Sequence, residues 1–312
     1  MRALGALLVA CVLLLGCEES KLPKSWRVTY ARVLAVRAEV IGDEARATPE
    51  PGERVRVKVL IVGEQPIEQV SYGVLICPAS PPRGELPSCV GEPLALDRGT
   101  VGGAASSTRE LIYEIDVPEE GDLGGAERLL VAGTICTDGT AEPVEGGEGR
   151  CEDSDVAPVT FAAHITLALD GADINLNPVL ADDAIRFDDA VWPPYALLDV
   201  TSDEDAGAGD TDVALTAEAD GEKHEIAISL ENSARETTEG AREELLLSHF
   251  VTAGELERRF SVLEPEQNGD QPLLLEWHMP RRDDPPARAF VVFVLRDQRG
   301  GVAYALRELQ IE

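Results

Sequence analysis

The sequence predicts an all-β protein, built as two tandem β-sandwich domains behind a cleaved export signal. Three observations support this prediction. An apolar segment near the start ends at a cysteine, short runs of alternating polar and apolar residues recur along the rest of the chain, and loops rich in Pro, Gly and acidic residues separate them. We expect a signal peptide at 1–16, a lipidated tether at 17–26, and sandwich domains at 27–170 and 171–312.

The first sixteen residues have the three parts of a secretory signal. Met1 and Arg2 carry positive charge, residues 3–15 are apolar, and Gly16 is small. At about 1.5 Å per helical residue the apolar run spans roughly 20 Å, which is short of the ~30 Å hydrocarbon core of a bilayer. We therefore expect this segment to be removed rather than to span the membrane.

The motif Leu14-Leu15-Gly16-Cys17 resembles the lipobox of bacterial lipoproteins. The resemblance implies that the Cys17 thiol carries diacylglycerol, that cleavage occurs just before it, and that the new amine is acylated. Two or three such chains, at about 0.8 kcal/mol for each buried methylene, would anchor the protein almost permanently. An ordinary secretory signal that contains a cysteine is the alternative. In enterobacterial lipoproteins, an aspartate directly after the acylated cysteine causes retention at the inner membrane. This chain has Glu18 at that position, which favours the outer membrane.

The composition limits the partners of the protein. Its 58 acidic and 27 basic residues give a net charge of −31. A field of that sign repels nucleic acid and anionic head groups, and it favours cations and basic proteins. An acidic surface that only maintains solubility is the simpler interpretation. The 44% of hydrophobic residues can form a buried core and exclude wholesale disorder.

Four cysteines remain once the signal and the acylated cysteine are set aside. An even number in an exported protein predicts two disulfides. Cys77 and Cys136 each end an apolar run, and each is followed by a loop that ends in Cys89 or Cys151. This favours the local pairs Cys77–Cys89 and Cys136–Cys151, each worth about 3 kcal/mol on the loop-entropy model. A zinc site is the alternative, but the CxxC spacing is missing.

Alternation of polar and apolar residues defines the strands. Basic residues alternate with valines over 54–59, so one face of this strand is expected to be buried. The segment "VGGAASS" (101–107) has the composition of a loop. The strands predicted for the first half are 28–40, 54–62, 70–77, 110–117, 128–136 and 159–169.

The second half repeats this pattern without strong residue identity. Its predicted strands are 212–219, 224–230, 243–256, 272–280, 289–297 and 301–311. The last two are separated by "QRGG", which is a hairpin signal because glycine tolerates positive φ. Trp277 is expected in the core, because alternation places it on the same face as leucines, whereas the sequence does not decide the place of Trp192.

About seven short antiparallel strands in ~130 residues favour an immunoglobulin-like sandwich. The segments "HFVTAGEL", "EWHMP" and "VLRDQRGGVAYALREL" resemble the polycystic-kidney-disease-type and fibronectin type III-like modules of large bacterial surface lipoproteins. The resemblance implies a spacer or a ligand-binding fold without catalysis. In such a sandwich Cys77 and Cys136 lie at opposite ends of neighbouring strands, which excludes a bond between them.

Four common catalytic or nucleotide-binding motifs do not occur in the sequence. The four histidines are not in HExxH spacing, and GxSxG, GxxxxGK[ST] and GxGxxG are missing. We therefore expect a protein that is not an enzyme. A periplasmic hydrolase with scattered catalytic residues is the less favoured alternative.

A cation site is a further hypothesis for the junction between the two halves. Asp173, Asn175 and Asn177 in "DGADINLNP" resemble the Asp/Asn-rich calcium linkers of cadherin-like repeats, although the full cadherin motif is missing. Calcium takes six to eight oxygen ligands, which an extended linker and neighbouring carbonyls could supply. A plain linker is the alternative.

These observations together predict a membrane-anchored lipoprotein of the bacterial envelope, in the outer membrane rather than the inner one. We expect a structural, adhesive or accessory binding role with an envelope protein as partner. A calcium-stabilised spacer is the first alternative to this role.

Overall fold

A computed structural model describes residues 24–79, 89–90, 92–142, 149–169, 174–195, 197, 215–230, 237–238, 241–267, 271–281 and 287–312. Their regular elements are β-strands and one short 3-10 turn, which confirms the predicted all-β sandwich class. The signal peptide and Cys17 lie outside the described residues. Within the described ranges, no helix has the length and apolar character needed to cross a bilayer.

The first half of the chain forms one large sheet and a small hairpin. Its elements are β1 (Arg32–Val40), β2 (Arg54–Ala79), β3 (Ala95–Asp116), a 3-10 turn (Glu120–Asp122), β4 (Arg128–Cys136), β5 (Thr140–Ala141), β6 (Cys151–Glu152) and β7 (Val159–Thr166). β3 pairs with one edge of β2, whereas the other edge of β2 pairs first with β1 and then with β4. β7 pairs with β4, and β5 pairs with β6.

β2 joins two of the predicted strands. The prediction ended one strand at residue 62 and began the next at 70, but a single 26-residue strand runs through both. The predicted loop at 101–107 likewise lies within β3, so both predictions were wrong. The register between β2 and β3 shifts between Val62 and Gln69, and such a bulge bends a strand without ending it. β2 and β3 stay paired on both sides of this bulge. The pairing therefore keeps residues 101–107 in a strand, although their composition is typical of a loop.

The bend folds the sheet of the first half around a core. Val55, Val57 and Val59 come before the bend, and Val70 and Val74 come after it, yet all five lie in one buried cluster. The alternation predicted for 54–59 is therefore confirmed, because its valines are buried.

The second half forms two five-stranded sheets. Its strands are β8 (Ile185–Phe187), β9 (Ala190–Val191), β10 (Leu215–Ala217), β11 (Lys223–Ile228), β12 (Thr237–Thr238), β13 (Ala241–Arg242), β14 (Leu245–Val251), β15 (Glu255–Leu256), β16 (Phe260–Leu263), β17 (Leu273–His278), β18 (Arg288–Arg296) and β19 (Val302–Ile311). One sheet has the order β10–β19–β18–β14–β16, and the other has the order β15–β17–β11–β8–β9. β12 and β13 pair separately.

The predicted strand at 243–256 is divided between the two sheets. β14 pairs with β18 in one sheet, and β15 pairs with β17 in the other. Gly254 has a φ of +70° between them, a conformation that a residue with a Cβ rarely adopts. The chain can therefore change sheets within a few residues, and the prediction of one continuous strand was wrong.

Two tryptophans lie in the core between these sheets. Trp277 is fully buried, as predicted, and its Nε1 donates to the carbonyl of Ala253 at 3.1 Å. Trp192 is also fully buried, and its Nε1 donates to the carbonyl of Glu308 at 2.8 Å. The structure therefore places both indoles in the core.

A third buried cluster joins the two halves. Leu34, Leu60 and Val62 from the first half lie in the same cluster as Val294 and Leu306 from the second. At the start of the described chain, the amide of Val28 donates to the carbonyl of Val251 at 2.9 Å, so this segment runs beside β14. The halves share apolar contacts, and the predicted domain boundary between 170 and 171 stays a prediction.

Candidate functional site at the junction of the two halves

The segment 174–177 connects the halves through backbone hydrogen bonds. The amide of Ala47 donates to the carbonyl of Asn175 at 2.9 Å, and the amide of Asn177 donates to the carbonyl of Ala45 at 2.6 Å. Leu176 forms an isolated antiparallel bridge with Arg46. The segment thus adds a short extended stretch beside the loop between β1 and β2.

Asn177 links a strand of each half through its side chain. Its Nδ2 donates to the carbonyl of Ala38 in β1 at 2.8 Å, and its Oδ1 accepts from the amide of Val302 in β19 at 3.0 Å. Asn177 is 5% exposed, so both hydrogen bonds lie in the interior. A buried amide that is hydrogen-bonded at both ends fixes the relative position of the two strands.

Asn175 contacts the turn between β18 and β19. Its Nδ2 donates to Asp297 Oδ2 at 2.7 Å. Asp297 Oδ1 accepts from the amides of Arg299, Gly300 and Gly301 at 2.8, 3.0 and 2.8 Å. The Asp297 carboxylate therefore organises the predicted glycine hairpin and connects it to the linker.

The structure gives these asparagines roles that the sequence did not predict. Asp173 lies outside the described residues, whereas Asn175 and Asn177 come together at the junction. Asn175 Oδ1 is buried and has no hydrogen-bond partner among the described residues, and Asn177 Oδ1 is occupied by a backbone amide. No group of three His, Cys, Asp or Glu suited to a metal occurs within the described part of the chain. Calcium binding stays a prediction.

The two disulfides form as predicted. Cys77 pairs with Cys89, and Cys136 pairs with Cys151. In the pairing of β2 with β4, Cys77 lies opposite Leu130 at one end and Cys136 lies opposite Ser71 at the other. The prediction that these two cysteines occupy opposite ends of neighbouring strands is confirmed.

His224 lies between two carboxylates, an arrangement that no sequence motif indicated. Its Nδ1 is 2.5 Å from Asp188 Oδ2, and its Nε2 is 3.6 Å from Asp220 Oδ1. The amide of Glu222 and the neighbouring His224 lower the pKa of Asp220. The hydrogen bond between Nδ1 and Asp188 orients the ring, whereas Nε2 makes no hydrogen bond among the described residues. Asp188 precedes His224 by 36 residues, so no short motif could reveal the pair.

His249 is fully buried in β14. Its Nδ1 lies 3.3 Å from the carbonyl of Arg258, and its ring packs edge-on against Phe293. Burial lowers the pKa of His249 to about 4. The neutral imidazole is therefore the form that the folded protein accommodates.

This burial predicts a loss of stability in mild acid. The unfolded chain binds a proton at His249 below pH 6.5, whereas the folded chain does so only near pH 4. The contribution is therefore complete above pH 6.5, is lost as the pH falls towards 4, and totals about 3 kcal/mol at 1.36 kcal/mol per pH unit. Urea unfolding of the protein and of His249→Gln between pH 4 and 8 measures it. Parallel stability profiles for the two proteins would contradict the prediction.

Comparisons with known proteins add no functional information. No protein-family model and no curated protein matches the chain. The chain is similar to red sea bream transglutaminase at 9% identity and a TM-score of 0.28, over 92% of this chain and 32% of that one. It is similar to the C-terminal domain of Wzt at 11% identity and a TM-score of 0.26, over 48% of this chain and 81% of that one.

A third similar structure is Escherichia coli alpha-2-macroglobulin activated by porcine elastase, at 9% identity and a TM-score of 0.23, over 93% of this chain and 22% of that one. The chain thus spans about a third of the transglutaminase, at 32%, and about a fifth of the macroglobulin, at 22%. Similarities of this size support no statement about activity, substrate or partner.

Proposed function

We propose that this protein is a lipid-anchored protein of the bacterial cell envelope that acts without catalysis, as a structural or accessory binding module. The observation that carries the proposal is the buried junction. Apolar side chains from both halves share one cluster, and Asn177 hydrogen-bonds to a strand of each half. A body joined in this way resists bending, which suits a module that holds a partner at a set distance from a membrane.

The start of the described chain supports a short connection to the membrane. Lys24 Nζ lies 2.6 Å from Glu255 Oε2, and Trp26 packs against the core of the second half. Lys24 lies seven positions after Cys17, a reach of about 25 Å at full extension. An acyl chain on Cys17 would therefore keep this end of the second half close to the bilayer.

Labelling with a fatty-acid analogue tests the anchor. The full-length protein is expected to incorporate the label and to sediment with membranes, whereas Cys17→Ser loses both properties. Cys11→Ser is the matched control, because that cysteine lies within the apolar run and is expected to change neither. An unlabelled wild-type protein, recovered from the cytosol with free thiols, would overturn the proposal.

Purification from detergent-extracted membranes tests the binding role. We expect the wild-type lipoprotein to co-purify with at least one other envelope protein at a fixed ratio. Recovery of the free chain alone, both with and without prior cross-linking in cells, would contradict a binding role.

A calcium-stabilised spacer is a second candidate, favoured by the buried and unpartnered Oδ1 of Asn175 among the described residues. Calcium bound at this oxygen is expected to raise the melting temperature of the wild-type protein but not that of Asn175→Ala. Calorimetry that detects neither heat of calcium binding nor a change in melting temperature would remove this candidate.

A further inference from the structure

A cleft of about 550 Å³ opens at the junction, on the side of β1 and β7. β1 contributes residues 33–36, β7 contributes residues 160–164, the end of β18 contributes Arg296, and the turn after it contributes Gln298 and Gly300. Backbone atoms of two strands therefore border the cleft, together with one cationic side chain.

In the part of the chain that the structure describes, β7 presents an unpaired edge towards this cleft. The amide of Leu167 donates to the carbonyl of Glu127. This hydrogen bond shows which residues of β7 direct their backbone groups towards β4. Because backbone groups alternate in direction along a strand, Thr160, Ala162 and His164 direct their amides and carbonyls away from β4. β4 is the strand that pairs with β7 in the described chain, so these groups lie on an open edge.

β1 also presents an outer edge, but side chains occupy part of it. Arg296 donates to the carbonyl of Leu34 at 2.8 Å, and Asn177 donates to the carbonyl of Ala38. The same alternation directs the amide and the carbonyl of Val36 outwards between these two points. Within the described residues, β7 is therefore the edge that offers unpaired backbone groups, at every second residue, to an incoming strand.

One arginine, Arg296, lines the cleft, although the chain as a whole is acidic, with a net charge of −31. Arg296 also donates to Ser248 Oγ at 3.3 Å, and no carboxylate of the described residues lies within ion-pair distance of its guanidinium. The nearest acidic neighbour in sequence, Asp297, is occupied by the amides of the turn and by Asn175. His164 Nε2 is buried without a hydrogen-bond partner in the described part of the protein.

We propose that this cleft binds an extended segment of a partner protein, which adds as a strand to the open edge of β7 and places a carboxylate against Arg296. Strand addition obtains affinity from main-chain hydrogen bonds and specificity from side-chain sites beside the edge. Arg296 has no counterion among the described residues, and each of its terminal nitrogens keeps a second hydrogen beyond those donated to Leu34 and Ser248, which a carboxylate can accept. The inference rests on the binding role proposed above, and it adds the surface and the chemical class of the partner segment.

The probe is a capped nine-residue peptide of alternating valine and threonine with a central glutamate, added to the detergent-solubilised full-length protein. Hydrogen–deuterium exchange is expected to slow at residues 160–164. Ala162→Pro removes one outward amide from an edge position that tolerates proline, and it is expected to weaken peptide binding about tenfold. Ala162→Val keeps the amide and serves as the matched control.

The charged contact is tested from both sides. Arg296→Gln in the protein and glutamate to glutamine in the peptide are each expected to weaken binding about tenfold, the loss of one charge-assisted hydrogen bond. The peptide substitution does not depend on whether the protein variant folds. Equal affinities for the two peptides would overturn the carboxylate assignment.

Protection at another edge, such as β3, would overturn the proposed surface. A concentration-dependent dimer that Ala162→Pro abolishes would identify a second copy as the occupant and would overturn the partner assignment. Lipid labelling at Cys17 does not depend on this edge, so failure of the cleft proposal and failure of the proposed anchor are distinguishable.

Discussion

Asn177→Ala is expected to lower the free energy of unfolding by about 4 kcal/mol, because a buried backbone group left without a partner costs about 1–3 kcal/mol and two are affected. The substitution leaves the carbonyl of Ala38 and the amide of Val302 unpaired inside the junction. Denaturant unfolding of the purified protein measures the effect. We expect a lower midpoint, with the loss centred on contacts between the halves.

Leu176→Ala is the matched control for this prediction. Leu176 occupies the neighbouring position in the same linker, but its side chain is exposed. Surface substitutions of this kind usually change stability by less than about 0.5 kcal/mol. If both variants unfold at the wild-type midpoint, the hydrogen bonds of Asn177 do not hold the halves together.

Removing both disulfides is expected to have a larger effect, about 6 kcal/mol in total, because each closes a loop worth about 3 kcal/mol on the chain-entropy model. The bonds span 12 and 15 residues, between Cys77 and Cys89 and between Cys136 and Cys151. Paired alanine variants of each bond, and of both together, separate the contributions under oxidising conditions.

The positions of the two disulfides predict how their effects on stability combine. The two bonds lie at opposite ends of the pairing between β2 and β4, so their effects are expected to add. Reductant is expected to reproduce the double variant in the wild-type protein and to leave the double variant unchanged. Retention of wild-type stability by the double variant would show that the loops do not need these bonds.

Local patterns were sufficient for several features of the fold. Alternation over 54–59 predicted a half-buried strand, and the cysteine spacing predicted two local bonds. The loop predicted from composition at 101–107 was wrong, because these residues belong to β3 and pair along the bend of β2. A bulge depends on the partner strand, and the sequence of one strand does not specify that partner.

The junction illustrates the same limit for the candidate site. The residues of "DGADINLNP" indicated a linker with oxygen ligands, but the partners of Asn177 lie 139 and 125 residues away. No local spacing rule connects positions so far apart, and neither partner is a side chain. The role of Asn177 in joining two strands therefore became visible only when the backbone of both halves was in place.

The sequence by itself determined the all-β class, the burial of Trp277 and the pairing of four cysteines, because each follows from alternation or short separation along the chain. Only the tertiary structure decided that β2 and β3 bend together, that Trp192 is a core residue and that Asn177 joins the halves. It also decided that, within the described ranges, β7 pairs on one edge alone and lies beside Arg296. These features depend on which distant backbone groups become neighbours. That choice is made by the packing of whole sheets, and no short segment contains it.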